Sequence, residues 1–177
     1  NVMKTEAKFS DDKTNRFVLS KDWNNKKSRA LLISIHPSIS SEVTLDLTTL
    51  LVINELEKLG FGAVDIVNLF PKIFNKLIVE EVDLKEISEN DTIIVELAEK
   101  TNTIILGWGR IGEKSKAVKK RQEELLTKLV KYKDKIFVFP CWSSKITKVY
   151  DKQSNLLKEY IIGKKDIDGF TKDTVLI

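Results

Sequence analysis

The chain has 177 residues, 42% of them hydrophobic and 32% charged, with a formal net charge of +4. That profile fits one ordinary globular domain and excludes a disordered chain. No apolar run reaches the roughly 18 residues that cross a bilayer, residues 1–6 carry no apolar signal core, and a single cysteine rules out an intrachain disulfide, so a reducing, cytoplasmic setting is expected.

In chain order, residues 7–23 alternate apolar and polar around 11–15. This predicts a hairpin of 7–10 with 16–20, at a sheet edge or capping one end. The apolar run 30–35 follows and stops at His36-Pro37-Ser38. Residues 46–59 carry helical periodicity and end at Gly60, a residue suited to the position just past a helix. Asp46 or Thr44 would cap its start. A second apolar run, 63–67, ends at Asn68-Leu69-Phe70-Pro71, and the mixed, acidic stretch from there to Asn90 reads as a surface excursion.

Residues 91–100 predict a helix leading into a third run, 103–107, which ends at Trp108-Gly109-Arg110. Residues 113–133 give the longest predicted helix, with Val118, Leu125, Leu126, Leu129 and Tyr132 facing inward. A fourth run, 136–139, ends at Pro140-Cys141-Trp142. Beyond it the pattern weakens, with a helix expected near 154–162 and a terminal strand at 174–177.

Apolar, β-branched runs alternating with helices predict parallel strands, and right-handed crossovers put helices on both faces. The expected fold is α/β: a three-layer α/β/α sandwich with a central, mostly parallel sheet of about four strands plus an N-terminal hairpin, forming a single domain over 1–177. Ligands of such sheets bind outside the carboxyl ends of the strands. The four polar or aromatic clusters would therefore gather on one edge.

Each cluster offers a chemical reading and a structural one. His36, the only histidine, could act as acid, base or hydrogen-bond donor, or be a hydrogen-bonded loop residue. Ser38 could donate to a ligand or stabilise the turn. Asp46 could cap a helix or serve as a general base. Asn68 carries two donors and an acceptor that suit a nucleobase edge, and Phe70 could stack on a flat ligand. The alternative is a turn asparagine with Phe70 in the core.

Trp108 lies beside glycines 107, 109 and 112, and the helix after Gly112 favours an anion at its start. Arg110 and Lys114 would add charge for a phosphate. The spacing matches neither a P-loop nor a dinucleotide fingerprint. Cys141 has no second histidine or cysteine partner, so no metal or cofactor is expected, and a spectator thiol is the better reading than a nucleophile served by His36. From 110 to 135 ten basic residues face four acidic ones. This suits a polyanion, or else a solvated helix face.

In this order the pieces Leu31-Leu-Ile-Ser-Ile-His-Pro-Ser38, Asp46-Leu47-Thr48, Gly60-Phe-Gly-Ala-Val-Asp-Ile-Val-Asn-Leu-Phe70 and Gly107-Trp108-Gly109 resemble the family known as domain of unknown function 1643. Its members occur on chromosomes and mobile elements, without an established activity. The resemblance covers roughly 16–140 and departs at His36, where the family usually has Asn, and at the carboxyl end. The clusters also resemble, more distantly, the uracil-DNA glycosylases. That likeness implies His36 and Ser38 at the water-handling turn, Asn68 reading the base and Phe70 as a neighbouring wall.

The expected function is thus a nucleic-acid-associated protein, DNA before RNA, with a glycosylase-like crevice for base recognition or excision. His36 or Asp46 would handle water, and Arg110 and Lys114 would hold phosphates. A non-catalytic nucleic-acid or protein binding module, and an enzyme acting on a nucleotide or phosphorylated metabolite, are the alternatives.

Overall fold

The computed structural model describes residues 2–37, 47–74, 76–108, 111–138, 146–150 and 157–162. They form a mixed α/β fold around a six-stranded sheet. Its strands are β1 (Lys4–Phe9), β2 (Arg16–Asp22), β3 (Ser28–Ser34), β4 (Phe61–Asn68), β5 (Ile104–Leu106) and β6 (Ile136–Val138). Across the sheet the order is β1-β2-β4-β3-β5-β6. β4, β3, β5 and β6 run parallel, while β2 joins β4 antiparallel and carries β1 at its outer side. The hairpin therefore extends the sheet rather than capping one end.

Burial follows from that order. β4 is buried at every position, as a central strand covered on both faces must be. Gly62 within it has no room for a side chain, since a Cβ would lie 2.0 Å from the Asn24 carbonyl oxygen. The closeness arises because Trp23 and Asn24 both donate their N–H to the Gly62 carbonyl, at 2.9 Å.

Helices α1 (Leu47–Lys58), α2 (Leu84–Lys100), α3 (Ile111–Lys114) and α4 (Lys116–Lys128) link the parallel strands. Alternate residues of β3 feed two apolar clusters. Leu31 and Ile33 pack with Ile94 and Ala98 of α2 and with Val118, Leu125 and Leu126 of α4. Ala30 and Leu32 pack with Val52, Ile53 and Leu56 of α1. α1 ends as its sequence implies, with Gly60 at a φ of 88° that suits glycine. Among the described residues no helix is long and apolar enough to cross a membrane.

Three expectations are corrected. α2 begins at Leu84, not 91, because Asp83 caps it by accepting from the Lys85 N–H at 2.8 Å. Of the glutamates in that stretch, Glu86 and Glu89 are good helix formers and lie in α2, while Glu80 and Glu81 lie in an exposed 3-10 turn ahead of it. The predicted long helix 113–133 is broken at Ser115, whose hydroxyl accepts from the Val118 N–H and starts α4 afresh. It then tightens into a 3-10 turn over Val130–Lys135. Serine at a cap competes with helix continuation. Lastly, the segment expected to be helical near 154–162 contains strand β8 (Leu157–Ile162), paired antiparallel with β7 (Ile146–Tyr150), in keeping with the strand preference of Tyr160-Ile161-Ile162. The expected terminal strand 174–177 lies outside the described residues.

The hairpin loop carries an acid-sensitive lock. The Asp12 carboxylate accepts from the Ser10 hydroxyl at 2.7 Å, the Thr14 hydroxyl at 2.8 Å and the Thr14 N–H at 3.0 Å. These bonds, that from Ser10 first, lower its pKa to about 2. A depressed carboxylate stabilises above its unfolded value and loses that contribution as pH falls through its folded one. Protection of the Thr14 amide from exchange should hold down to about pH 4 and fade toward pH 2. Asp12→Asn should remove this dependence, and a Thr14 amide indifferent to pH over that range would contradict it.

Candidate functional site

The strand order fixes where a crevice opens. From β3 the chain crosses by α1 to β4 on one side. From β4 it returns by α2 past β3 to β5 on the other, and continues through α3 and α4 to β6. The loops leaving β3 and β5 thus depart in opposite directions, and the switch point lies between these neighbouring strands. The sequence positions delivered there are His36-Pro37 after β3 and Gly107-Trp108 after β5. Asn68 ends β4 on the far side of β3.

Backbone pairing ties these ends together. Ser34 lies opposite Asn68 in the β3–β4 register. The Leu69 and Phe70 N–H groups donate to the Ser34 and Ile35 carbonyls, each at 2.9 Å, and the Gly107 N–H donates to the Ile33 carbonyl at 2.8 Å. Ser38, Asp46 and Arg110 lie outside the described residues, as does Cys141.

His36 is half-buried on this edge. Its Nδ1 lies 3.0 Å from the Pro37 carbonyl oxygen. A carbonyl only accepts, so that bond requires the proton on Nδ1 and makes Nε2 of the neutral ring the acceptor. Phe74 meets the imidazole edge-on, with centroids 6.1 Å apart. The ring is therefore oriented from two directions.

Of the other four described candidates, Asn68, Phe70 and Trp108 are enclosed. Asn68 is 2%, Phe70 3% and Trp108 8% exposed. Phe70 and Trp108 belong to the apolar cluster under α2 and α4, and the Asn68 carbonyl accepts from the Asn90 side-chain amide at 2.8 Å. Lys114, at the end of α3, is exposed. Among the described residues no three His, Cys, Asp or Glu side chains gather to hold a metal ion.

Sequence reasoning missed a buried polar group beneath this edge. Arg121 on α4 donates from Nε to the Leu69 carbonyl at 3.0 Å and from Nη2 to Asp91 Oδ1. Lys128 reaches the other oxygen of Asp91 at 2.7 Å. Asn90 and Asp91 on α2 and Arg121 on α4 are all buried. A signal existed: Asp91 shares the apolar stripe of Ile94 and Ala98, and Arg121 that of Val118 and Leu125, at three- and four-residue spacings.

The basic run changes character accordingly. Arg121 is neutralised inside by Asp91. Lys135 donates to the Ala98 and Thr101 carbonyls at 3.1 and 2.7 Å. Lys131 and Lys135 lie over the Tyr132 ring, 4.8 and 4.9 Å from its centroid. On the outer surface Lys114, Lys116, Lys120, Lys128 and Lys131 are exposed. Over 111–135 eight lysines stand against four carboxylates. Lys114, Lys116 and Lys120 lie where α3 and α4 leave the carboxyl edge.

A family model described as "Protein of unknown function (DUF1643)" matches residues 16–150. No curated protein matches the chain. Among solved structures, Est1E from Butyrivibrio proteoclasticus is similar at 14% identity and a TM-score of 0.41, over 77% of this chain and 49% of that one. The chain thus spans about half the length of that protein.

Proposed function

The chain belongs to the DUF1643 family of proteins of unknown function, and within it we propose a nucleic-acid-associated protein that grips phosphates with the lysine face of α3 and α4. The observation that carries this reading is the lysine excess on the outside of a helix whose one arginine is withdrawn into the interior. Lysines spread along a surface track a chain of phosphates, and a lone small anion needs no such spread. The adjoining carboxyl edge, with His36 Nε2 as acceptor, is the crevice that would meet a base or sugar, as in the glycosylase-like arrangement. α1 on one apolar cluster and α2 with α4 on the other support the three-layer α/β/α architecture this requires. DNA in the cytoplasm is the proposed ligand.

Burial favours binding over base excision. Phe70 and Trp108 have no ring face free for a flipped base, and a base-excising enzyme needs such a wall. The non-catalytic binding module is therefore the second reading.

The test is a titration of labelled single-stranded and duplex oligonucleotides at low salt. Binding by the native chain, weakened about tenfold or more by the double charge reversal Lys116→Glu and Lys120→Glu, supports the proposal. No binding by the native chain overturns it. Uracil-containing oligonucleotides bound but left without abasic sites decide for the module.

A further inference from the structure

The turn that follows β4 is irregular, so its backbone groups cannot all be satisfied by ladder pairing. From the sheet side the Leu69 and Phe70 N–H groups reach Ser34 of β3 and Ile35 just past it, the Pro71 carbonyl accepts from the Arg16 N–H, and the Ile73 N–H donates to the Thr14 carbonyl. From the helix side come only side chains: Asn90 to the Asn68 carbonyl and Arg121 to the Leu69 carbonyl. These two belong to different helices, α2 and α4. The ion pair of Arg121 with Asp91 ties those helices to each other as well as to the turn.

We propose that Arg121, oriented by Asp91, is the positioning residue that sets the Asn68–Pro71 turn against the carboxyl edge, with Asn90 as its companion from α2. Its value for binding rests on the proposed role of that edge in contacting nucleic acid. A guanidinium suits this task, because its planar fork serves a carbonyl and a carboxylate at once from fixed directions, as an ammonium does not. Burying the charge is costly, and an apolar side chain would fill the same volume more cheaply. Orientation of the turn is what the arginine adds. The same helix presents Lys116 and Lys120 outward, so Arg121 links the phosphate-facing surface to the turn directly beneath it.

The experiment follows amide exchange by NMR in the native chain, in Arg121→Lys and in Asn90→Ala. The expected result is a rise of about tenfold or more in exchange at Leu69 and Phe70. The Trp23 and Leu31 amides, which donate to Gly62 and Thr103, should keep their native rates. A uniform acceleration would reduce Arg121 to ordinary packing, and no change would remove its role; either outcome overturns the proposal. Should Arg121→Lys fail to fold, Asn90→Ala reads the same turn, because it deletes a single bond.

A second arm measures oligonucleotide affinity. Arg121→Lys and Asn90→Ala should each weaken binding, with the double variant losing little more than the weaker single one, whereas additive losses contradict positioning through the shared turn. If the native chain binds no oligonucleotide, the nucleic-acid reading falls and the exchange arm alone decides the role of Arg121.

Discussion

Replacing Asp91 by alanine is expected to cost about 3–5 kcal/mol of stability, the toll for leaving a buried charge without its partner. Asp91 is 2% exposed and serves two cations. Without it the Arg121 guanidinium remains inside the apolar cluster of α2 and α4, held only by the Leu69 carbonyl. Against a typical domain stability of about 5–15 kcal/mol, the variant would be marginal. Urea denaturation with the native chain alongside reads the loss directly. The double change Asp91→Leu with Arg121→Leu should recover much of it, since a buried pair exchanged for apolar residues of similar volume is often neutral or stabilising. A loss below about 1 kcal/mol in the single variant would show that water reaches the site and that the pair is a surface one.

The second large effect is on binding. If Lys114, Lys116 and Lys120 each neutralise one phosphate, the slope of log affinity against log salt should be about −2.7 for duplex DNA, and affinity should fall roughly fortyfold between 50 and 200 mM salt. Lys128 is committed to Asp91, and Lys131 and Lys135 lie over the Tyr132 ring past the far end of α4, so they add nothing to this slope. A slope near zero would mean that no polyanion is held, and would turn attention to a small ligand at the β3–β5 switch point. Counting basic residues by sequence alone would have predicted a steeper slope.

What the sequence made legible is what local patterning controls. The apolar runs of β3 and β4, the glycine past α1 and the meeting of strand ends on one edge all follow from residue type and spacing. The start of α2 was missed because acidic residues mark helices and exposed loops equally well, and only the Asp83 cap separates the two. The break at Ser115 depends on one hydroxyl bond. Phe70 could be read as a stacking ring or as core, and Trp108 as part of a ligand-lining cluster, since a strand end adjoins both. Their burial is set by how α2 and α4 lie over the sheet. The Asp91–Arg121 pair spans thirty residues of sequence and exists only once those helices dock. Its trace, a charged residue on each apolar stripe, gains meaning when the two stripes are brought face to face.

The most direct measurement is a map of backbone amide shifts on adding a short duplex to the isotope-labelled chain. A nucleic-acid interface on α3, α4 and the carboxyl edge predicts changes concentrated at Lys114, Lys116 and Lys120 and at Ile35-His36, Leu69-Phe70 and Gly107-Trp108, with β1 and the hairpin loop undisturbed. Changes confined to β1 and its loop, or none at saturating duplex, would contradict it.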